Sequence, residues 1–232
     1  MKSALAAVAL AAGLAAIPRP APAAQHPSQI TVTGVGEVFR APDRAYVDLT
    51  IAETADQAVR ATAAAQVDEQ EVRRRLAAIG VTPGQIRTTG YGMSYNPRPP
   101  HPNPAVPVQY GFTVRRSLEI TAPPDGTGPV VDAAVGGGAA DLSVRFDLAD
   151  HAAAYRAALA AAVGDAADQA RTLADAAHVR LGPILQIAPA TRPNVVQPLA
   201  QGRIMSVAVP TTIEPGTLTV TAQVSVTYAI AR

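Results

Sequence analysis

From Leu218 to Ile230 the chain alternates without a break. Leu218, Val220, Ala222, Val224, Val226, Tyr228 and Ile230 fall on one parity, and Thr219, Thr221, Gln223, Ser225 and Thr227 fall between them. A period of two sustained over this length puts one dry and one wet face on an extended strand. Such a strand needs antiparallel neighbours and a second layer packed on its dry side. With no Cys, no Trp and three Phe in the chain, that layer must come mostly from Val, Leu, Ile and Ala, without disulfide support.

Other elements follow from the same reading. Ile30 and Val32 alternate with Thr31 and Thr33 as a short strand ending in turn glycines at Gly34 and Gly36. Ala45, Val47, Leu49 and Ile51 alternate with Tyr46, Asp48 and Thr50 as a second strand, after a turn at Pro42-Asp43. Thr54-Ala55-Asp56-Gln57 has the form of a capping box opening a helix from about Ala55 to Ile79, stopped by Gly80 and Pro83. The apolar stripe of this helix is imperfect, and Arg73-Arg74-Arg75 belong largely on its solvated side. Strands are expected over Ile86–Tyr95 and Val108–Thr121, joined by an exposed hairpin loop, Asn96–Pro107, that carries six prolines.

In the second half, a short helix over Val130–Val135 leads to a flexible connection at Gly136-Gly137-Gly138. A strand through Val144, Phe146 and Leu148 precedes Asp150, the N-cap of the clearest helix. Its face is read through Tyr155, Leu159, Val163, Ala166, Ala170, Leu173 and Ala177, where the small alanines would allow close packing. Pro183–Ile187 reads as a strand, and 189–216 as a long irregular stretch. The order strand, long helix, strand, strand thus occurs twice, from Ala45 to Thr121 and from Ser143 to Ile230. The fold class expected is α+β: two β-α-β-β units with long helices packed on antiparallel sheet. Residues 24–232 make one domain, which can divide into two lobes, about 28–122 and 129–232.

The N-terminus reads as an export signal. Lys2 supplies a positive charge and Ala4–Ile17 is an apolar run too short for a stable bilayer span. Ala21-Pro22-Ala23 fits the cleavage pattern, so residues 1–23 are expected to be removed and the rest to act in the periplasm, without stable membrane insertion. Cleavage takes away Lys2 and Arg19, lowering the basic count from 19 to 17 against 18 acidic residues. That near-neutral balance offers nothing to a nucleic acid partner. Lys2 is the only lysine, so Schiff-base and thiolate chemistry are both excluded from the exported part.

Catalytic patterns are weak. Gly34-Val35-Gly36 fails as a dinucleotide fingerprint because Phe39 stands where the third glycine belongs. Among His26, His101, His151 and His178 none has metal-ligand partners at zinc spacing, so surface positions are expected. Asp43, Asp48, Glu53 and Glu119 are the carboxylates from which an acid pair would have to be built, though solvated faces are the ordinary role for such residues. Arg116 shares strand parity with Phe112, Val114, Leu118 and Ile120; either a bulge at Arg115-Arg116 or a buried pairing with a carboxylate accounts for it. No catalytic, cofactor-binding or metal-binding residue is assigned, and no cofactor is implied.

The ordered set of motifs resembles the SIMPL-domain family, exported bacterial proteins that include periplasmic immunogenic antigens and an oxidative-stress defence protein. The resemblance rests on Ile30–Glu37, Ala41–Ala45, Ile86-Arg87-Thr88, Gly138-Ala139, Val144-Arg145-Phe146, the helix from Tyr155 to Ala177, Leu181-Gly182-Pro183 and Glu214-Pro215-Gly216. It implies a bilobed α+β fold, a periplasmic setting and self-association, and it carries no catalytic residues; the proline-rich 96–107 insert departs from the pattern. The expectation is a non-enzymatic periplasmic protein acting through a homo-oligomer or an envelope protein partner, in envelope or oxidative-stress tolerance. A small-ligand module with a cleft between lobes is the alternative. At least one of the loops 96–107 and 189–216 is expected at a subunit or partner contact.

Overall fold

A computed structural model of the chain describes residues 28–98, 109–189, 211–231 and the backbone of 194–196. Eight strands and three helices run in the order β1 (Gln29–Arg40), β2 (Arg44–Ala55), α1 (Ala58–Ala78), β3 (Ile86–Asn96), β4 (Gly111–Ala122), α2 (Thr127–Gly136), β5 (Asp141–Asp147), α3 (His151–Ala176), β6 (Arg180–Pro189), β7 (Asn194–Val196) and β8 (Leu218–Ala231) among the described residues. The strands form two antiparallel sheets, β3-β4-β2-β5 and β1-β8-β6, with β7 also on β8. The fold is α+β, as the alternation and helix periods predict. The predicted signal, residues 1–23, lies outside the described residues, as do His26, His101 and most of both long loops.

The two units are present, but the second takes a different first strand from the one its sequence order indicates. In the first sheet, β4 lies between β2 and β3 and α1 packs on β2 and β4. In the second, β8 lies between β1 and β6 and α3 packs on β1 and β8. The units are therefore β2-α1-β3-β4 and β1-α3-β6-β8, with the same strand order. β5, the strand through Val144 and Phe146, instead extends the first sheet beyond β2. Chain connectivity made β5 the nearer candidate; hydrogen bonding along all twelve residues of β1 to β8 decides otherwise.

Gly34 and Gly36 do not end β1. They lie inside it, on the face of the buried Val32, opposite α3. A β-carbon on Gly34 would sit 2.6 Å from Ala166 N and 2.7 Å from Ala166 Cβ, and one on Gly36 would sit 2.9 Å from the carbonyl carbon of Ala161. The strand is bare here so that the helix can approach its backbone. The helix answers with a stripe of strict four-residue steps, Ala154, Ala158, Ala162, Ala166, Ala170 and Ala174, all buried. This stripe is displaced from the expected face: Tyr155, Leu159 and Val163 flank it, and Leu173 is half exposed. The close packing expected of the small alanines holds at Ala166 and Ala170, and the glycines extend it to Ala158 and Ala162, where the larger Tyr155, Leu159 and Val163 were read as the face.

Two further local expectations change. Thr54 belongs to β2, where its hydroxyl bonds that of Thr113 at 2.7 Å, so it caps no helix. Gln57 precedes α1 without a side-chain cap, and a capping box forms instead at Thr82 and Gln85, where the Gln85 amide oxygen accepts from Thr82 N at 2.9 Å. The glycine triplet is packed rather than flexible: a β-carbon on Gly137 would meet Val72 Cγ2 at 2.7 Å, which seats the end of α2 on α1. Asp150 does cap α3, accepting from Ala153 N at 2.8 Å.

Candidate interaction surface

Among the described residues, α1 and α3 each pack mainly on the first and last strand of their unit and leave most of the strand that follows the helix exposed at a sheet edge. In the first unit that strand is β3. A bulge between Thr88 and Gly90 changes its parity, so that Tyr91, Met93 and Tyr95 turn to the side of their partners Arg116, Val114 and Phe112. Tyr95 stacks on Phe112 with centroids 4.7 Å apart, and the Arg116 guanidinium lies 5.8 Å from the Tyr91 ring. About half of each of Tyr91, Met93 and Tyr95 still faces solvent.

In the second unit the uncovered strand is β6. Two register irregularities, at Leu181/Ile184 and Ile184/Gln186, leave Ile184, Leu185 and Ile187 each about half exposed. No charged residue stands between Leu181 and Pro189. Pro183, Pro189 and the two irregularities limit how much of this edge can pair, while the stretch Ile184–Ala188 between them is apolar apart from Gln186.

The opposite edges are occupied. β2 is covered by β5. β1 is closed by side chains of α3: the Asp165 carboxylate accepts the Val35 N–H at 2.8 Å, and Gln169 Nε2 donates to Thr33 O at 3.3 Å and to Asp165 at 2.8 Å. The close approach that the glycines allow brings these short side chains to the strand's free hydrogen-bonding groups.

The residues singled out for chemistry fall into separate places. Arg116 is the paired arginine. The register of β4 with β2 runs unbroken through it, and the bulge belongs to β3. Its Nε lies 2.7 Å from Glu69 Oε2, while Arg73 Nε donates to Glu69 Oε1 at 2.8 Å. Glu69 is only 7 % exposed, set among Ala61, Ala65, Val72 and Leu76 on α1. The imperfection in that stripe is therefore the partner of the arginine out of place on β4, a residue the sequence reading passed over. Glu69 Oε2 and Arg116 Nε form an ion pair without an aligned hydrogen bond.

On the helix-free face, Asp48 and Glu119 are register partners, and Arg145 bridges them, bonding Glu119 and reaching Asp48 Oδ2 at 3.3 Å. Arg87 donates to Glu119 at 2.8 Å, and the Arg145 guanidinium carbon lies 4.1 Å over the Tyr46 ring. These carboxylates are thus each paired with arginine. Glu53 faces Asp68 instead; burial, then the hydrogen bond with Asp68, push its pKa up. Asp43 lies between β1 and β2. His151 pairs with Asp147 at 2.9 Å, and His178 takes a left-handed turn just past α3. No three His, Asp or Glu side chains among the described residues gather closely enough to hold a metal ion.

The loop stems are described even where the loops are not. Asn96 Nδ2 donates to Gln109 O at 3.0 Å across the base of the proline-rich segment. Thr211 is held by Asp132 of α2. No helix among the described residues is long and apolar enough to cross a membrane.

The family model SIMPL, described as a protein of unknown function (DUF541), matches residues 30–228. The 26 kDa periplasmic immunogenic protein of Brucella melitensis biotype 1 is 30% identical over 194 residues, covering 79% of this chain and 76% of that protein. The protein of the same description from Brucella abortus (strain S19) is likewise 30% identical over 194 residues, with the same coverage.

Proposed function

The chain belongs to the SIMPL family, and on that premise we propose that it works in the periplasm as a non-enzymatic protein, by self-association or by capture of an envelope protein partner. One observation carries the reading: among the described residues, the strand after the helix lies at a sheet edge in both units with half-exposed apolar side chains, Tyr91, Met93 and Tyr95 on β3 and Ile184, Leu185 and Ile187 on β6. An open edge supplies unpaired backbone groups, and the flanking apolar side chains add area that water leaves on pairing. The relatives' description as periplasmic supports the location, together with export by cleavage near Ala23. On this reading residues 24–232 act as one bilobed domain that serves envelope or oxidative-stress tolerance. The carboxylates of the helix-free face are paired with arginine, an arrangement suited to holding a sheet rigid.

Native mass tests this. The exported protein is expected to run as an assembly of several copies in light scattering after size exclusion, and Ile184→Lys together with Tyr95→Lys is expected to reduce it to the monomer. A monomer at every concentration that also captures no envelope protein would remove the reading, as would a doubly charged variant that assembles like the parent.

A further inference from the structure

The sheets are built from the chain unequally. Everything in the first, from β2 to β5, is one continuous stretch with its own core. The second is assembled from the flanks: β1 comes before that stretch, and α3, β6, β7 and β8 come after it.

Two short crossings join the parts, and they run side by side. Asp43 N donates to Asp147 O at 3.2 Å, continuing the β2–β5 ladder past its last pair, Arg44 with Asp147. The Asp43 carboxylate then accepts the Ala149 N–H at 2.6 Å. Asp43 thus ties the entry to β2 to the exit from β5.

A third link lies just ahead of β8. Ile213 packs against the core of the first sheet. Two residues earlier, Thr211 Oγ1 donates to Asp132 Oδ1 at 2.5 Å and Thr211 N to Asp132 Oδ2 at 3.3 Å. The seat is shaped for it: a β-carbon on Gly128 would fall 3.2 Å from the Thr211 carbonyl carbon and closer still to its oxygen. Gly128 therefore gives the room and Asp132, one helical turn on, the acceptor. Five residues past Ile213 the chain enters β8 at Leu218, which is 1 % exposed and pairs with Arg40 at the end of β1.

We infer that residues 211–217 are a strap that holds the central strand of the second sheet to α2 of the first unit, so that releasing the strap opens the second sheet and leaves the first closed. β8 is the strand on which β1, β6 and β7 all pair, so its N-terminal end controls the sheet. Among the described residues, the core of the first sheet receives Ile213 from the strap and keeps the remainder of its cluster. Local opening of this kind is how a protein presents part of its structure while the rest stays folded.

Amide hydrogen exchange followed by mass spectrometry on the purified protein tests the inference. Ile213→Ser and Asp132→Ala are each expected to speed exchange over Leu218–Val224 by about ten-fold or more and to leave Val114–Ile120 within about two-fold of the parent. Val144→Ala trims the same first core without altering the strap's own residues or Asp132, and is expected to speed Val114–Ile120 at least as much as Leu218–Val224. Equal acceleration of both segments by the strap variants, or no acceleration of Leu218–Val224 by either, would overturn it. If Ile213→Ser does not fold, Asp132→Ala decides alone, since its side chain lies outside the core cluster.

Discussion

The place a β-carbon of Gly36 would occupy is taken by the backbone of α3, with the carbonyl oxygen of Ala158 in its path. Gly34 stands in the same relation to Ala162 one helical turn further on. Strand and helix meet backbone to backbone, an approach that also lets Asp165 reach the edge of β1.

Gly36→Ala is expected to cost about 3 kcal/mol or more, the upper end of overpacking, because the obstructing atoms are backbone and cannot swing away. Gly164→Ala, in α3 but with nothing within 4 Å of the added carbon, is expected to stabilise by about 0.5–1 kcal/mol. Urea midpoints of the two variants, moving in opposite directions, check this pair.

Glu69→Ala leaves Arg116 and Arg73 without their shared carboxylate. Breaking a buried pair costs about 3–5 kcal/mol, and Arg116 is a quarter exposed, so about 2–3 kcal/mol is expected. The double replacement Glu69→Leu with Arg116→Met should recover most of that loss, as measured in a double-mutant cycle by chemical denaturation.

Glu53 has its pKa raised in the folded protein by burial and by the hydrogen bond with Asp68. A raised carboxyl pKa gives stability that is present below the unfolded value and lost as pH rises through the folded value. Glu53→Gln, neutral throughout, should therefore be more stable than the parent at pH 7. Its advantage should shrink as the pH falls below the ordinary glutamate range. Denaturation midpoints at pH 7 and in acid give the sign; a gap that widens on acidification would contradict it.

Asp165→Ala uncovers the Val35 N–H and opens the edge of β1. A modest loss of stability, about 1 kcal/mol, is expected from the lost hydrogen bond. The larger effect should be on association: a third exposed edge, beside Val35 and Phe39, should produce higher-mass species that grow with concentration in light scattering.

Much of this was legible in order, and less in partnership. The alternation in β8 gave its buried face correctly, since a period of two leaves no other assignment for Leu218 through Tyr228. Asp150 was readable as a cap because capping is local. Gly34 and Gly36 were misread as a turn because a glycine's meaning depends on what lies above it, and α3 begins more than a hundred residues later. Arg116 invited two readings, and only the position of Glu69 on α1 separates them. The open edges were not legible at all: Ile184 to Ile187 reads as an ordinary strand, and its exposure follows from where α3 sits.

By itself the sequence determined the α+β class, the periods of the strands and helices, and the repeated order of elements. These depend on neighbours within a few residues. The tertiary structure alone decided that β1 completes the second sheet, that Glu69 and Arg116 pair, and that β3 and β6 lie at the sheet edges with apolar side chains half exposed. Each of those rests on contacts between residues far apart in the chain, whose energies arise only once both elements are in place. The alanine stripe of α3 joins the two levels: its spacing is written in the sequence, and the bare glycine strand it fits is chosen by the fold.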